Sequence, residues 1–198
     1  MCGRYYVDDE TAREIERIIR IADEKVRQKP PVRVQAKDIH PTDIAPVLLA
    51  DGEGIGCRLQ KWGLPGYDAG QVIFNARSET VAEKKSFREG VENRRLVVPA
   101  TWFYEWNRAK EKNLFRRKDQ KVLFMAGIYN RCQGEDRFVI LTTAANASME
   151  PVHDRMPLIL EPEEISDWIF EREKAKRLLH KVPCLLERRT EFEQLTLF

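Results

Sequence analysis

The first regular pattern along the chain is helical. Ile15, Ile18, Ile19, Ala22 and Val26 recur at three- and four-residue spacing behind Asp8 and Asp9, carboxylates suited to cap a first turn, and the pattern fades before Pro30-Pro31. A single packing helix is predicted there. Beyond it the apolar runs shorten and the period moves toward two. Strands are predicted over residues 32–36, 55–62, 71–76, 96–105, 122–129, 138–143 and 157–160, each bounded by Gly, Pro or polar turn residues. Helical spacing returns over 162–170 and 172–180, where Glu163, Glu164 and Asp167 suit the positive end of a helix. The charged stretch 108–121 reads as a solvated hairpin whose basic residues can reach a phosphate backbone. Short strands with helices toward both ends predict an α+β chain, mainly β, with a barrel-like or two-sheet core and peripheral helices.

Composition narrows this picture. With 198 residues, 42% hydrophobic and 33% charged, the chain has enough apolar surface for one core and little for two, so one domain over 1–198 is expected. No apolar run approaches the ~18 residues of a membrane span, and the first twenty residues are charged, unlike a secretory signal. A cytoplasmic protein with no membrane contact is expected, nucleoid-associated when bound to DNA. A net charge of +2 gives little bulk attraction for nucleic acid, so such binding would need a local basic surface. Cysteines at 2, 57, 132 and 184 are scattered without ligand spacing; neither a metal site, a disulfide framework nor a cofactor is predicted.

Four segments carry chemistry. Removal of Met1 would give Cys2 a free α-amine beside its thiol, and such a 1,2-aminothiol captures an aldehyde first as an imine and then as a five-membered thiazolidine. Reference values of ~8 for the amine and ~8.5 for the thiol put both within modest reach of neutral pH. In residues 73–80 an extended backbone sets Asn75 and Arg77 on one face, an amide to orient a sugar hydroxyl and a guanidinium to grip a phosphate. The local alternative has Asn75 satisfying nearby backbone and Arg77 pairing with Glu79. Within Trp102-Phe103-Tyr104-Glu105-Trp106 a carboxylate sits among four aromatics, a setting for proton transfer beside surfaces on which unpaired bases can stack. His153, bracketed by charges between Pro151 and Pro157, can act as acid or base; His40 and His180 read as structural.

In order along the chain, Met1-Cys2-Gly3-Arg4, Trp62-Gly63-Leu64, Asn75-Ala76-Arg77-Ser78-Glu79-Thr80, Arg94-Arg95 through Pro99 to Phe103-Tyr104-Glu105-Trp106, Ala126-Gly127-Ile128-Tyr129, Thr142-Thr143-Ala144-Ala145-Asn146 and His153-Asp154-Arg155-Met156-Pro157 resemble the motifs of the SRAP family, the SOS response-associated peptidases. The resemblance spans residues 1 to about 160. It implies a compact, mainly β SRAP fold that binds single-stranded DNA and captures abasic sites as a thiazolidine at Cys2, together with autocatalytic removal of whatever precedes the cysteine. By motif, Cys2 is the nucleophile, Asn75 positions the sugar or the amine, Glu105 shuttles protons and His153 assists at the sugar. Arg77 and Arg155 are the implied phosphate clamps, and Arg4, Trp62, Trp106 and the Pro41-Thr42 loop the weaker DNA contacts. A monomer acting on single-stranded DNA is expected.

Departures from the family pattern are Leu96 where cysteine is frequent, Trp102 where glycine precedes the aromatic run, and a shorter segment after Leu64. They bear on the shape of the DNA groove. Two other readings stay open. Class II glutamine amidotransferases also begin Met-Cys-Gly, which would make the chain an N-terminal-nucleophile hydrolase, although Arg4 replaces their usual aliphatic residue and their glutamine-binding motifs are absent downstream. A non-catalytic single-strand binding module with an incidental Cys2 is the other.

Overall fold

The computed structural model describes residues 2–22, 36–119 and 122–190. From the amino terminus come β1 (Tyr5–Val7), α1 (Asp9–Ala22), β2 (Lys37–Ile39), β3 (Ile44–Asp51), β4 (Gly54–Trp62), β5 (Leu64–Pro65), β6 (Val72–Ile73) and β7 (Asn75–Arg77). Next are α2 (Lys85–Asn93), β8 (Arg95–Ala100), β9 (Trp102–Trp106), β10 (Lys112–Arg117), β11 (Leu123–Cys132) and β12 (Glu135–Ala144). The chain continues through β13 (Arg155–Pro157), β14 (Ile159–Leu160), α3 (Glu164–Phe170), α4 (Arg172–Leu178) and β15 (Leu186–Thr190).

Five strands close on themselves. β12 runs parallel to β4, with Phe138 opposite Trp62, and antiparallel to β11, with Ile140 opposite Gly127; β4–β3–β8–β11 completes the ring. A closed ring leaves no open edge for a second chain to pair with. β7, β13 and β14 extend this barrel, and a separate five-stranded sheet has the order β15-β10-β9-β1-β2.

Alternation along the barrel strands divides the core. Val47, Leu49, Val98, Met125, Phe138 and Ile140 point one way, toward Tyr5, Val7, Phe103 and Phe115 of the second sheet. Leu48, Val97, Phe124, Val139 and Leu141 point the other way, under Ile15 of α1, Phe87 and Val91 of α2, and Ile165 and Trp168 of α3. Each fully buried side chain of this kind contributes about 1.5–3 kcal/mol, so layers on both faces hold the barrel. Close packing explains Gly127: a Cβ there would sit 2.6 Å from Leu96 Cδ1 and 2.8 Å from the Val139 carbonyl. Gly63, at φ +112°, turns the chain out of β4 in a conformation that favours glycine.

Helix ends are secured by side chains. Asp8 Oδ1 accepts the Thr11 amide at 2.7 Å, capping α1 as expected. Arg95, buried at the start of β8, donates to the carbonyls of Val91, Glu92, Trp168 and Ile169 at 2.6–3.0 Å and so ties the ends of α2 and α3 to the barrel.

Several predicted elements need correction. The strand expected over 32–36 and the helical Val26 lie outside the described residues, apart from Ala36, which is in no strand. The single strand expected over 96–105 is two, because the chain changes sheets at Thr101, whose amide donates to the Tyr6 carbonyl at 2.8 Å. The strand expected over 157–160 divides at Leu158, which bonds both Leu141 and Ala126. β1, β3, α2 and β15 were not anticipated, and the solvated hairpin over 108–121 includes a full strand, β10.

Candidate active site

The amino-terminal segment is delivered by strand pairing. Tyr5 lies opposite Phe103, and the Tyr104 amide donates to the Arg4 carbonyl at 2.9 Å, so the register carries Cys2 and Gly3 alongside Glu105 and Trp106. Cys2 is 1% exposed. Its carbonyl accepts a 2.9 Å hydrogen bond from Asn75 Nδ2, and its thiol donates weakly to the Arg4 carbonyl at 3.8 Å. Asn75 reaches it from β7, held parallel to β12 with Asn75 opposite Ile140. Glu105 is buried on the inward side of β9, and its Oε1 accepts the Trp106 amide at 3.2 Å. Three of the predicted site residues thus meet at one place, joined by two sheets.

The thiol corrects one expectation. Burial pushes Cys2 up to about 12, and the nearby Glu105 carboxylate pushes the same way. With Met1 attached, the thiol therefore carries its proton at neutral pH. Sulfur attack from this position needs a partner to take that proton as the bond forms, and Glu105 is the adjacent carboxylate.

His153 follows a tight turn in which its amide donates to the Met149 carbonyl at 3.0 Å. Its Nδ1 accepts the Arg155 amide at 2.9 Å, which orients the ring. With Asn107, Arg108, Ala144 and Asp154 it lines a groove of about 620 Å³ between this turn and the β9–β10 connection. Trp106, 37% exposed, immediately precedes that connection.

The arginines differ from the expectation. Arg155 is bound in a fork to Glu79, at 2.6 and 2.8 Å, and donates to the Thr142 carbonyl at 2.6 Å. That guanidinium holds the Glu79 carboxyl below its ordinary value. The fork expected to clamp a phosphate is filled by a carboxylate, and Glu79 pairs with Arg155 rather than with Arg77. Arg77 is exposed, opposite Thr142 in the ladder. Arg4 pairs with Asp38 of β2 at 2.6 Å and lies over the Tyr104 ring at 4.8 Å.

Trp62 was expected at the DNA surface, but it is a core residue. It is 0% exposed, stacks on Phe138, meets Tyr5 at 5.2 Å, and donates from Nε1 to the Phe74 carbonyl at 2.8 Å. No face of its ring is open to a base. The neighbouring Pro41-Thr42 turn is held by the Thr42 amide donating to the Trp62 carbonyl at 2.7 Å, with Thr42 at φ 80°. A β-branched residue there costs of order 1–3 kcal/mol and persists only where its surroundings impose it.

Tyr5, Asp38 and Thr142 are site neighbours to which the sequence pattern gave no role, and Glu79 was given Arg77 as its partner. Their partners lie many residues away, so no local spacing marks them. Among the described residues no cluster of three or more His, Cys, Asp or Glu is placed to hold a metal, and no helix is long and apolar enough to cross a membrane.

Comparison with known proteins identifies the family. The family model described as SOS response associated peptidase (SRAP) matches residues 1–195. The abasic site processing protein YoqW of Bacillus subtilis is 36% identical over 152 residues, 67% of this chain and 68% of that protein. The abasic site processing protein YedK of Escherichia coli is 31% identical over 123 residues, 58% of this chain and 55% of its own length. A crystal structure from Bordetella bronchiseptica superposes with a TM-score of 0.76 at 22% identity, over 96% of this chain and 99% of that one, and carries the same fold. Another, from Bacteroides thetaiotaomicron, gives 0.75 at 24% identity, over 96% and 91%. On its motifs, its fold and the family match over residues 1–195, this chain belongs to the SRAP family.

Proposed function

We propose that this chain processes abasic sites in single-stranded DNA by forming a covalent thiazolidine at Cys2 after loss of Met1. The observation that carries the reading is the convergence of Asn75 and Glu105 on Cys2, a residue otherwise sealed in the core.

The chemistry balances with the groups present. Hydrolysis of the Met1–Cys2 bond frees the α-amine, and the buried thiol beside Glu105 suits autocatalytic removal of the leader. The amine adds to the aldehyde carbon of the ring-opened deoxyribose, and loss of one water gives the imine. The sulfur then adds to that carbon while its proton passes to nitrogen, closing the ring. Glu105 takes and returns protons at the carbinolamine and the thiol, a role worth ~10²–10⁴-fold in rate. Asn75 fixes the Cys2 carbonyl and with it the direction of the new amine. His153, on the groove wall, serves the sugar hydroxyl or ring oxygen. Trp106 and Arg77, both exposed, are the base and phosphate contacts, whereas Arg155 would first have to exchange Glu79 for a phosphate.

A denaturing gel tests this. Mature protein incubated with single-stranded DNA bearing one abasic site gives a heat-stable shifted band, which Cys2→Ala abolishes and His153→Ala slows. A band of unchanged intensity in Cys2→Ala would refute the reading, and a shift that vanishes on denaturation in the unaltered protein would leave only a binding module. Moderate salt dependence is expected, since few arginine–phosphate contacts release few counterions.

A further inference from the structure

Apart from Trp106, the outward face of the β15-β10-β9-β1-β2 sheet has no part in the chemistry above. Along β1 and β9 the buried Tyr5, Val7 and Phe103 alternate with Arg4, Tyr6, Trp102, Tyr104 and Trp106, which therefore share the opposite face. The rings of Tyr6, Trp102 and Tyr104 adjoin one another in a line. Tyr6 and Trp102 stack at 4.3 Å with 9° between planes, and Trp102 meets the edge of Tyr104 at 6.4 Å. Lys112, opposite Trp106 in the ladder, places Nζ 4.4 Å over the Tyr104 ring.

Charge on this face is mainly positive. Arg4, Lys112, Arg116 and Arg189 share it with two carboxylates, Asp38 and Glu187, which pair with Arg4 and with Arg116 and Arg189. The face begins at exposed Trp106, beside the His153 groove, and runs along β9 for about 13 Å to half-buried Trp102 and Tyr6. Aromatic rings interleaved with cations suit a flexible polyanion whose bases can stack, and the face continues directly from the candidate site.

We infer that this aromatic face is a second contact track for single-stranded nucleic acid, binding the nucleotides that flank the one held at Cys2. Trp102 and Tyr6 supply the far stacking platform, with Lys112 and Arg116 along the backbone. The inference rests on the proposed function for the identity of the strand. It adds that affinity depends on strand length through residues that take no part in the covalent step.

The test compares two oligothymidylates, one of about 5 and one of about 15 nucleotides, each with one abasic site and each with a lesion-free counterpart. Fluorescence anisotropy reads affinity and a denaturing gel reads adduct. Trp102→Ala is expected to weaken binding of the longer lesion-free strand about tenfold, in line with the loss of one stacked base. Lys112→Gln is expected to lower its salt-dependence slope by about one. Both variants should form adduct with the short strand at the unaltered rate. Unchanged long-strand affinity and salt slope in both variants would overturn the track while leaving the Cys2 chemistry standing. So would self-association that Trp102→Ala abolishes without altering DNA affinity, which would assign the face to a second protein copy. Absence of adduct from the unaltered protein on either strand would instead defeat the covalent reading.

Discussion

Two buried polar centres lie at opposite sides of the barrel and are finished differently. Arg95 gives its guanidinium to four backbone carbonyls, so its charge is fully employed in joining α2 and α3 to β8. Around Cys2, Asn75 Nδ2 is used, while Asn75 Oδ1 and the Tyr5 hydroxyl are buried without a hydrogen-bond partner among the described residues. Buried polar groups that are paired add stability, and those left unpaired cost about 1–3 kcal/mol each. The fold meets that cost beside Cys2 and not at Arg95.

Substitutions can break this contrast. The largest effect belongs to Cys2→Ala, expected to remove all covalent adduct while leaving the thermal midpoint within a few degrees; a residual adduct would move the nucleophile elsewhere. Arg95→Met should do the reverse. Stranding four carbonyls is expected to cost about 3–5 kcal/mol in urea unfolding, with the adduct rate per folded molecule unchanged. A fall in that rate would mean the two centres are coupled. Glu105→Gln is expected to slow adduct formation about 10²-fold without weakening DNA binding, read by single-turnover kinetics.

Acidity offers smaller tests. Burial raises Cys2 from 9.0 to about 12, so the unfolded chain loses this proton first as pH rises. Stability from this group is complete below pH 9 and falls between 9 and about 12. Cys57 is raised over the same span by burial, so Cys2→Ala should reduce the alkaline loss without abolishing it, as urea midpoints at pH 8 and 10.5 would reveal. The smallest effect is expected on the acid side. The hydrogen bond from Arg4 holds the Asp38 carboxyl below its ordinary value, so its contribution is present above about pH 3.9 and is lost as pH falls through the lowered folded value. The pair is partly exposed, so Asp38→Asn should change stability at pH 7 by no more than about 1 kcal/mol.

Much of the barrel was legible from apolar runs bounded by turn residues. β4, β11 and β12 fall on predicted strands, and α1, α3 and α4 on predicted helices. β11 and β12 are buried on both faces and show no period of two, so it is their apolar, bounded runs that mark them. β3 is buried on both faces in the same way, but Pro46 within its run lowers the strand signal. α2 offers only Phe87, Gly90 and Val91 to the core, and its N-terminus lacks a side-chain cap. β1 is too short and β15 too charged to stand out; their partners across the sheet define them.

The site was legible in its chemistry and less so in its pairing. Cys2, Asn75 and Glu105 are named together through the family motifs; by residue chemistry alone Asn75 reads equally as an amide satisfying nearby backbone. Trp62 and Arg155 were misjudged because exposure and ion pairing depend on distant residues: Phe138 and Phe74 cover the indole, and Glu79 fills the guanidinium fork. Motif membership marks a residue as constrained, and the surrounding packing decides whether the constraint is structural or chemical.

The central claim is that the amine and the sulfur of Cys2 both bond to the aldehyde carbon of an abasic nucleotide. Intact-mass and peptide-level mass spectrometry of mature protein mixed with lesion-bearing single-stranded DNA tests it most directly. The account predicts a species equal to the chain without Met1 plus the oligonucleotide minus one water, with the modification on the amino-terminal peptide and its thiol no longer open to alkylation. An unmodified amino-terminal peptide, or an adduct whose Cys2 thiol still alkylates, would contradict it.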